Sequence, residues 1–267
     1  MNKILALIFL ISTFADLSNA KTIVVSDIDD TIKIAHILDL TDMIYYGART
    51  ATAFEGFPEV YQGLEKDLGA EFYYVSNAPG FMTGRHTYFV ERHQFPAGTY
   101  VGRSQYDAAN HKLNTIREIV QSQQPSRLIL IGDNGENDTI FYNQIKNELA
   151  NQSIEVLQFI HLVYSKNNAA ERGKALEEGQ IGFATAVDLL FALKQYQLLV
   201  PETFKTAVAA VGSSLLVEHK FDEDEKDQWH FPDYMDCSDL EWQWDDVVGK
   251  SHFLQSLKAK IQGRCQP

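Results

Sequence analysis

Ser26-Asp27-Ile28-Asp29-Asp30-Thr31-Ile32-Lys33 follows directly on the apolar run Thr22-Ile23-Val24-Val25, and its reading decides the rest of the chain. The β-branched run predicts a strand. Along a strand, residues i and i+2 share a face, so Asp27 and Asp29 are expected to leave it close together. Two carboxylates so placed could hold a hard cation such as Mg²⁺. One of them free of metal could act as a nucleophile and the other as a general acid and base. An exposed acidic turn after a strand is the plain alternative, because a short motif alone is weak.

Three further apolar runs end in the same way. Glu71-Phe72-Tyr73-Tyr74-Val75 runs into Ser76-Asn77, Arg127-Leu128-Ile129-Leu130-Ile131 runs into Gly132-Asp133, and Ile154 to Val163 is a fourth. Continuous apolar runs bounded by turn residues suit strands buried on both faces. Pro58 to Leu68 and His111 to Gln121 read as amphipathic helices between them. Strands alternating with helices predict βαβ units and a parallel sheet. Ligands of such sheets bind beyond the carboxyl ends of the strands, where Asp27, Ser76 and Asp133 all fall. Gly173 to Leu199, Glu202 to Glu218 and Val247 to Ile261 read as helices. Trp229 to Trp244 has no clear period, and its tryptophans Trp229, Trp242 and Trp244 are expected to pack in a core.

The 267 residues are 45% hydrophobic and 22% charged, an ordinary globular composition, with a formal net charge of −13. That charge excludes a nucleic-acid partner, which needs a basic footprint. It also disfavours strong electrostatic adsorption to anionic membranes. It is compatible with phosphate esters where a metal and local cations reverse the field at a site. Lys3, the apolar stretch Ile4 to Phe14 and Ser18-Asn19-Ala20 before Lys21 read as a secretory leader over 1–20. Export would be to the periplasm or the cell exterior. Cys237 and Cys265 then permit a disulfide, with two buried free thiols as the alternative.

In order, the chain reads D-I-D-D-T at Asp27, Y-V-S-N at Ser76, H-K at Lys112 and G-D-N-G-E-N-D at Asp133. This resembles the four-motif signature of the haloacid dehalogenase superfamily. The blocks S-D-I-D-D-T-I-K, G-F-P-E-V-Y-Q-G-L, F-Y-Y-V-S-N-A-P, F-P-A-G, H-K-L-N-T-I and L-I-L-I-G-D-N-G-E-N-D resemble, more closely, the catalytic domain of the phosphatidate phosphatase family typified by a yeast actin-patch protein. The resemblance covers about Ile23 to Val163. It implies a three-layer, Rossmann-like α/β fold with a small cap or none. The catalytic domain is expected over 21–165, with a mostly helical C-terminal extension over 166–267. The short stretches Ile34 to Ala70 and Ala78 to Asn110 leave little room for a large cap.

The resemblance also implies roles. Asp27 would attack phosphorus, and Asp29 would protonate the leaving alkoxide and then activate water. Lys112 would neutralise phosphoryl charge. Thr31, Ser76 and Asn77 would hold the loop and the phosphate. Asp27, Asp29 through its backbone carbonyl, and Asp133 would bind Mg²⁺, with Asp138 orienting that shell. The implied partner is a phosphate monoester, phosphatidate or a related lipid phosphate first, with transient contact to a membrane surface. A soluble ester, a phosphoprotein, and a non-catalytic interaction protein are the rivals. Arg85 and Arg103 lie where an anionic substrate could be gripped, and His36, His86, His93 and His111 show no metal-ligand spacing. The chain departs from the family at Ala78 to Gly84, where the family tends to carry S-P-W. It departs again at F-I-H-L-V-Y-S, where the family carries an I-R-D type segment.

Overall fold

A computed structural model describes residues 21–47, 49–103, 109–219, 227–242, 244, 249 and 251–266. The leader expected over 1–20 lies outside these residues. Thr22–Ser26 forms strand β1, and all five of its residues are buried. A strand apolar on both faces needs cover on both sides, and β1 duly sits inside a sheet. It pairs in parallel with β3 (Glu71–Pro79) on one side and β5 (Arg127–Asp133) on the other. Strands β4 (Gly98–Arg103), β6 (Glu155–His161) and β7 (Ile181–Phe183) complete a six-stranded parallel sheet of order β4-β3-β1-β5-β6-β7. The chain thus leaves β1 toward one edge and later returns beside it toward the other. That reversal opens a crevice at the carboxyl ends of β1, β3 and β5.

Helices cover both faces, which makes three layers. Helices α4 (His111–Gln123) and α5 (Asp138–Leu149) pack together on one side. Helices α2 (Phe57–Leu68), α6 (Ala186–Gln195) and α7 (Pro201–Val217) pack together on the other. Gly56 caps α2 at φ 87°, where a Cβ would stand 2.4 Å from a methyl of Val211 on α7. Only glycine permits both that backbone and that approach. Pro58 in the first turn and Gly69 at φ 59° beyond the last turn bound α2 as the sequence suggests.

The stretch Gly173 to Leu199, expected to be one helix, instead holds β7 followed by α6. Three residues are too few to show a period, and Gly182 lies in β7 against the Leu162 side chain. Thr185 and Asp188 then form a reciprocal capping box that starts α6. The sheet's last strand therefore lies past residue 165, and α6 and α7 share one hydrophobic cluster with β1, β3 and β5. A short parallel pair joins β2 (Ala53–Phe54) to β8 (Gln228–Trp229). Helix α8 (His252–Cys265) packs on α7, and its last residue, Cys265, is disulfide-bonded to Cys237. Trp244 stacks on Phe191 at 4.3 Å and donates its ring N–H to Asp188 Oδ1 at 3.0 Å. Trp229 is buried as well, so these two tryptophans are core residues, as expected. No helix among the described residues is long and apolar enough to cross a membrane.

Besides α2, the described chain between β1 and β3 adds one helix, α1 (Leu40–Gly47), and none of its residues is buried. Between β3 and β4 lie a 3₁₀ turn, Gly80–Met82, and α3 (Thr83–Arg92). These short elements stand at the mouth of the crevice without closing it.

Candidate active site

Asp27 is the first residue after β1, and its N–H donates to Ile131 O of β5 at 2.9 Å, which locks the loop onto the sheet. Its side chain is buried. Oδ1 accepts from Lys112 Nζ at 2.9 Å and Oδ2 from Thr31 Oγ1 at 3.2 Å. Lys112 stands in the first turn of α4, almost wholly buried, and also donates to Asp138 Oδ1. Asp133 ends β5 and Asp138 opens α5. One carboxylate oxygen from each of Asp27, Asp133 and Asp138 lies within 4.8 Å of the others. Asp133 Oδ1 accepts the Gly135 N–H at 2.6 Å, and Asp138 Oδ2 accepts from the Asp133 N–H at 3.4 Å.

Burial pushes the Asp27 carboxyl up to about 8; Lys112 opposes this, and Asp138 and Asp29 add to it. Burial, followed by the charges of Asp138 and Asp27, likewise raises Asp133. Asp138 is raised by burial against the pull of Lys112. Burial works against the Lys112 charge, yet Asp138 and Asp27 hold its ammonium above the usual value. Three crowded carboxylates against one ammonium leave excess negative charge in a dry place. Hard oxygen donors with such an excess fit a divalent cation of the Mg²⁺ class. Asp27, Asp133 and Asp138 are the side chains that could hold it.

Asp29 lies on the other side of the site. Its Oδ1 accepts from Lys33 Nζ at 3.1 Å and its Oδ2 from Ser76 Oγ at 3.3 Å. His86 Nε2 of α3 stands 3.3 Å from the same Oδ2. Burial would raise Asp29, but the charge of Lys33, with the His86 ring beside it, outweighs burial and holds the carboxyl below its ordinary value. Ser76 Oγ also accepts the Ala78 N–H at 3.0 Å, so this residue of β3 stands beside Asp29. Asn77 points elsewhere, its amide donating to Glu136 Oε2 at 2.7 Å.

A cavity of about 830 Å³ opens above these groups, and Asp27, Asp29, Ser76 and Asn77 line its floor. Arg85 and Arg103 line its wall together with Met43, Ile44 and Phe81. Asp27, Asp29, Thr31, Ser76, Lys112, Asp133 and Asp138 are therefore brought together beside the carboxyl ends of β1, β3 and β5. His36 and His93 lie away from the cavity. His36 bridges Asp42 and Glu171, and His93 reaches Thr50 O.

Several residues on which the site depends gave no signal of their own. Lys33 and His86 contact Asp29, but a lysine and a histidine in isolation read as surface or core. Asp30, next to Asp29 in the motif, adopts φ 56°. Its Oδ1 accepts the N–H groups of Ala35 and His36 and the Tyr234 hydroxyl, and its Oδ2 accepts the Ile37 N–H and the Tyr164 hydroxyl. Asn134 braces the next loop, its Oδ1 accepting from Val163 N at 3.0 Å and Tyr164 N at 3.1 Å. His161 stands in the segment that departs from the family. Its Nδ1 faces the Asp30 and Thr31 carbonyls and its Nε2 faces Ala184 O, and burial lowers it to about 4, so the neutral ring can donate to only one of these two sides.

Residues 22–157 match the family model described as the catalytic domain of phosphatidate phosphatase APP1, slightly over half of the chain. The phosphatidate phosphatase APP1 of Saccharomyces cerevisiae is 26% identical over 149 residues, which is 49% of this chain and 24% of the yeast protein. The chain therefore spans about a quarter of the length of that relative. A class C acid phosphatase of Bacillus anthracis, solved with tungstate bound, aligns at a TM-score of 0.37 and 16% identity over 51% of this chain and 65% of its own. A second structure of that enzyme aligns at a TM-score of 0.34 and 16% identity over 66% and 72%.

Proposed function

The chain belongs to the family of the phosphatidate phosphatase APP1 catalytic domain, and from that premise we propose that it is an exported, Mg²⁺-dependent phosphomonoesterase working through an aspartyl-phosphate on Asp27. The observation that carries the proposal is the meeting, at three strand ends, of Asp27, Asp29, Ser76, Lys112 and Asp133 under one open cavity. Phosphoryl transfer asks the protein mainly for an in-line nucleophile and a fixed cationic clamp.

Asp27 attacks phosphorus while the bond to the ester oxygen breaks. Lys112 draws the Asp27 carboxyl toward its ionised form against burial, and neutralises charge on the phosphoryl oxygens. Ser76 donates to one of those oxygens. A dianionic phosphate beside Asp29 raises its proton affinity, so Asp29 takes up a proton and delivers it to the leaving alkoxide. The same carboxylate then removes a proton from water, which displaces Asp27 and releases phosphate. Mg²⁺, held by Asp27 and Asp133, would supply electrostatic stabilisation of the transferring group.

A lipid phosphate is favoured as substrate by the rim of the cavity. Ile44 of α1 is 66% exposed, and Phe81 of the 3₁₀ turn is 85% exposed. These apolar groups border the same opening as Arg85 and Arg103. Burying each of them in lipid is worth about 1.5–3 kcal/mol, while the arginines suit an anionic head group. The disulfide between Cys237 and Cys265 supports an oxidising compartment, in keeping with export. The test is phosphate release from phosphatidate in detergent micelles and from a soluble aryl phosphate, each with Mg²⁺ or with EDTA. Metal-dependent release from phosphatidate at the higher kcat/KM is expected. Cleavage of the aryl phosphate alone would refute the lipid assignment, and inactivity toward both would refute the phosphatase reading.

A further inference from the structure

We propose that Lys33 and His86 form a two-sided clamp that selects Oδ2 of Asp29 as the proton-transferring oxygen, making both of them positioning residues for acid and base catalysis. The inference rests on the phosphomonoesterase reading above and adds the means by which its acid and base is held.

A carboxylate has two equivalent oxygens and turns easily about its last bond, yet only one orientation serves a bound phosphate ester. Here the oxygens are made unequal. Oδ1 is covered by Lys33 Nζ at 3.1 Å. Lys33 is about 1% exposed, and its ammonium also donates to Tyr46 O of α1 at 3.1 Å. Its backbone is fixed too, with its N–H donating to Ile28 O at 2.9 Å and its carbonyl accepting from Asp30 N at 2.7 Å. Lys33 is therefore a fixed cap on Oδ1 and cannot follow a substrate.

Oδ2 lies on the side of Ser76, the hydroxyl expected to meet the phosphoryl group, 3.3 Å away. His86 Nε2 stands at 3.3 Å from Oδ2, and His86 too is about 1% exposed. Its Nδ1 is 2.8 Å from the Tyr100 hydroxyl of β4. The tautomer with Nε2–H toward Asp29 leaves Nδ1 to accept from that hydroxyl, so Tyr100 fixes both the ring and its tautomer. Oδ2 is thus flanked by His86 and by Ser76, and it becomes free for proton transfer when the Ser76 hydroxyl turns to the phosphoryl group. In the first step it gives its proton to the ester oxygen as the phosphorus–oxygen bond breaks. In the second it takes a proton from the water that forms the new bond to phosphorus, and the proton inventory closes.

General acid and base catalysis is worth roughly 10²–10⁴-fold, and it matters most where the leaving group is poor. An aryl phosphate expels a stable phenolate and needs no proton, whereas an alkyl phosphate does. The test compares kcat/KM on glycerol phosphate and para-nitrophenyl phosphate, in Mg²⁺, for the wild-type chain, Lys33→Met, His86→Leu, His86→Gln and Tyr100→Phe. Thermal melts accompany each variant. For Lys33→Met and His86→Leu, kcat/KM on the alkyl ester should fall about 10²-fold while that on the aryl ester stays near wild type. Steady-state turnover of the aryl ester should slow after a burst of one nitrophenol per enzyme, because hydrolysis of the phosphoenzyme still needs the base. His86→Gln retains a donor and should recover much of the loss. Tyr100→Phe, which removes only a hydroxyl, should show the same pattern more weakly. A parallel fall on both esters without a burst, in variants that melt like wild type, would overturn the clamp. Wild-type inactivity on both esters and on micellar phosphatidate would overturn the phosphatase reading and the clamp with it, and that failure shows before any variant is made.

Discussion

Stripping divalent cations and raising the pH from 6.5 to 7.5 should make this protein measurably less stable. Asp27 is held at about 8 in the folded chain against an ordinary 3.8. Between those values the native state binds more protons than the unfolded state, so stability falls as pH rises. One proton of difference amounts to about 1.4 kcal/mol per pH unit. For a chain of this size that lowers Tm by roughly 3–6 °C. Asp133 and Asp138 are shifted in the same direction and add to the slope. His36 is also raised: burial lowers it, but hydrogen bonds to Glu171 and Asp42 outweigh that. Its stabilising charge is likewise lost as pH climbs. His161, held neutral down to about 4, acts in the opposite sense below its ordinary value of 6.5, which is why the window starts there. Scanning calorimetry in EDTA reads the effect directly. Saturating Mg²⁺ should flatten the slope, since the cation replaces the protons, and Asp27→Asn should remove most of it. A flat or rising Tm in EDTA would refute the claim that these carboxylates are crowded in the folded chain. So would a slope indifferent to Mg²⁺ and to Asp27→Asn.

Asp30→Asn should cost about 3–5 kcal/mol, read by chemical denaturation, because an amide cannot accept on both sides from three backbone N–H groups and two phenols; unchanged stability would show that Asp30 is not the keystone of its loop. A Cβ at Gly132 would fall 2.2 Å from Asp138 Oδ2. Gly132→Ala should therefore shift that carboxylate and lower kcat about 10²-fold with only a modest loss of Tm. Replacing Cys237 and Cys265 by serine opens a link between residues 28 positions apart. Equilibrium denaturation should report a loss of roughly 3 kcal/mol, and the same loss on adding reductant to the wild-type chain.

The parts of the fold legible in the sequence are those that local pattern controls. β1, β3 and β5 are unbroken apolar runs, each ending in a polar residue that the sheet then brings together. Their apolar character follows from burial on both faces, so strand identity and the site's location were written in the same residues. β7 was hidden because Ile181-Gly182-Phe183 is too short for a period and sits beside a strong helical signal. Lys112 carried meaning only through the resemblance, since its partners Asp27 and Asp138 are distant in sequence. Lys33 and His86 gave no sign at all. Lys33 lies only four residues from Asp29, but the contact of His86 depends on where α3 settles over the crevice, which is a product of packing. Asp30 reads as one more acid of the motif, yet its left-handed backbone turns its carboxylate away from the catalytic side and onto the loop's own N–H groups. Aspartate tolerates that conformation, and nothing in the order of the letters announces it.

The most direct test of the central claim is acid-quench mass spectrometry of the chain during turnover of an aryl phosphate in Mg²⁺, with peptide mapping of any phosphoryl adduct. The expected result is an acyl phosphate on the peptide bearing Asp27, labile to hydroxylamine, absent from Asp27→Asn and accumulating in Lys33→Met. Undiminished phosphate release by Asp27→Asn, or an adduct mapped to another residue, would contradict it.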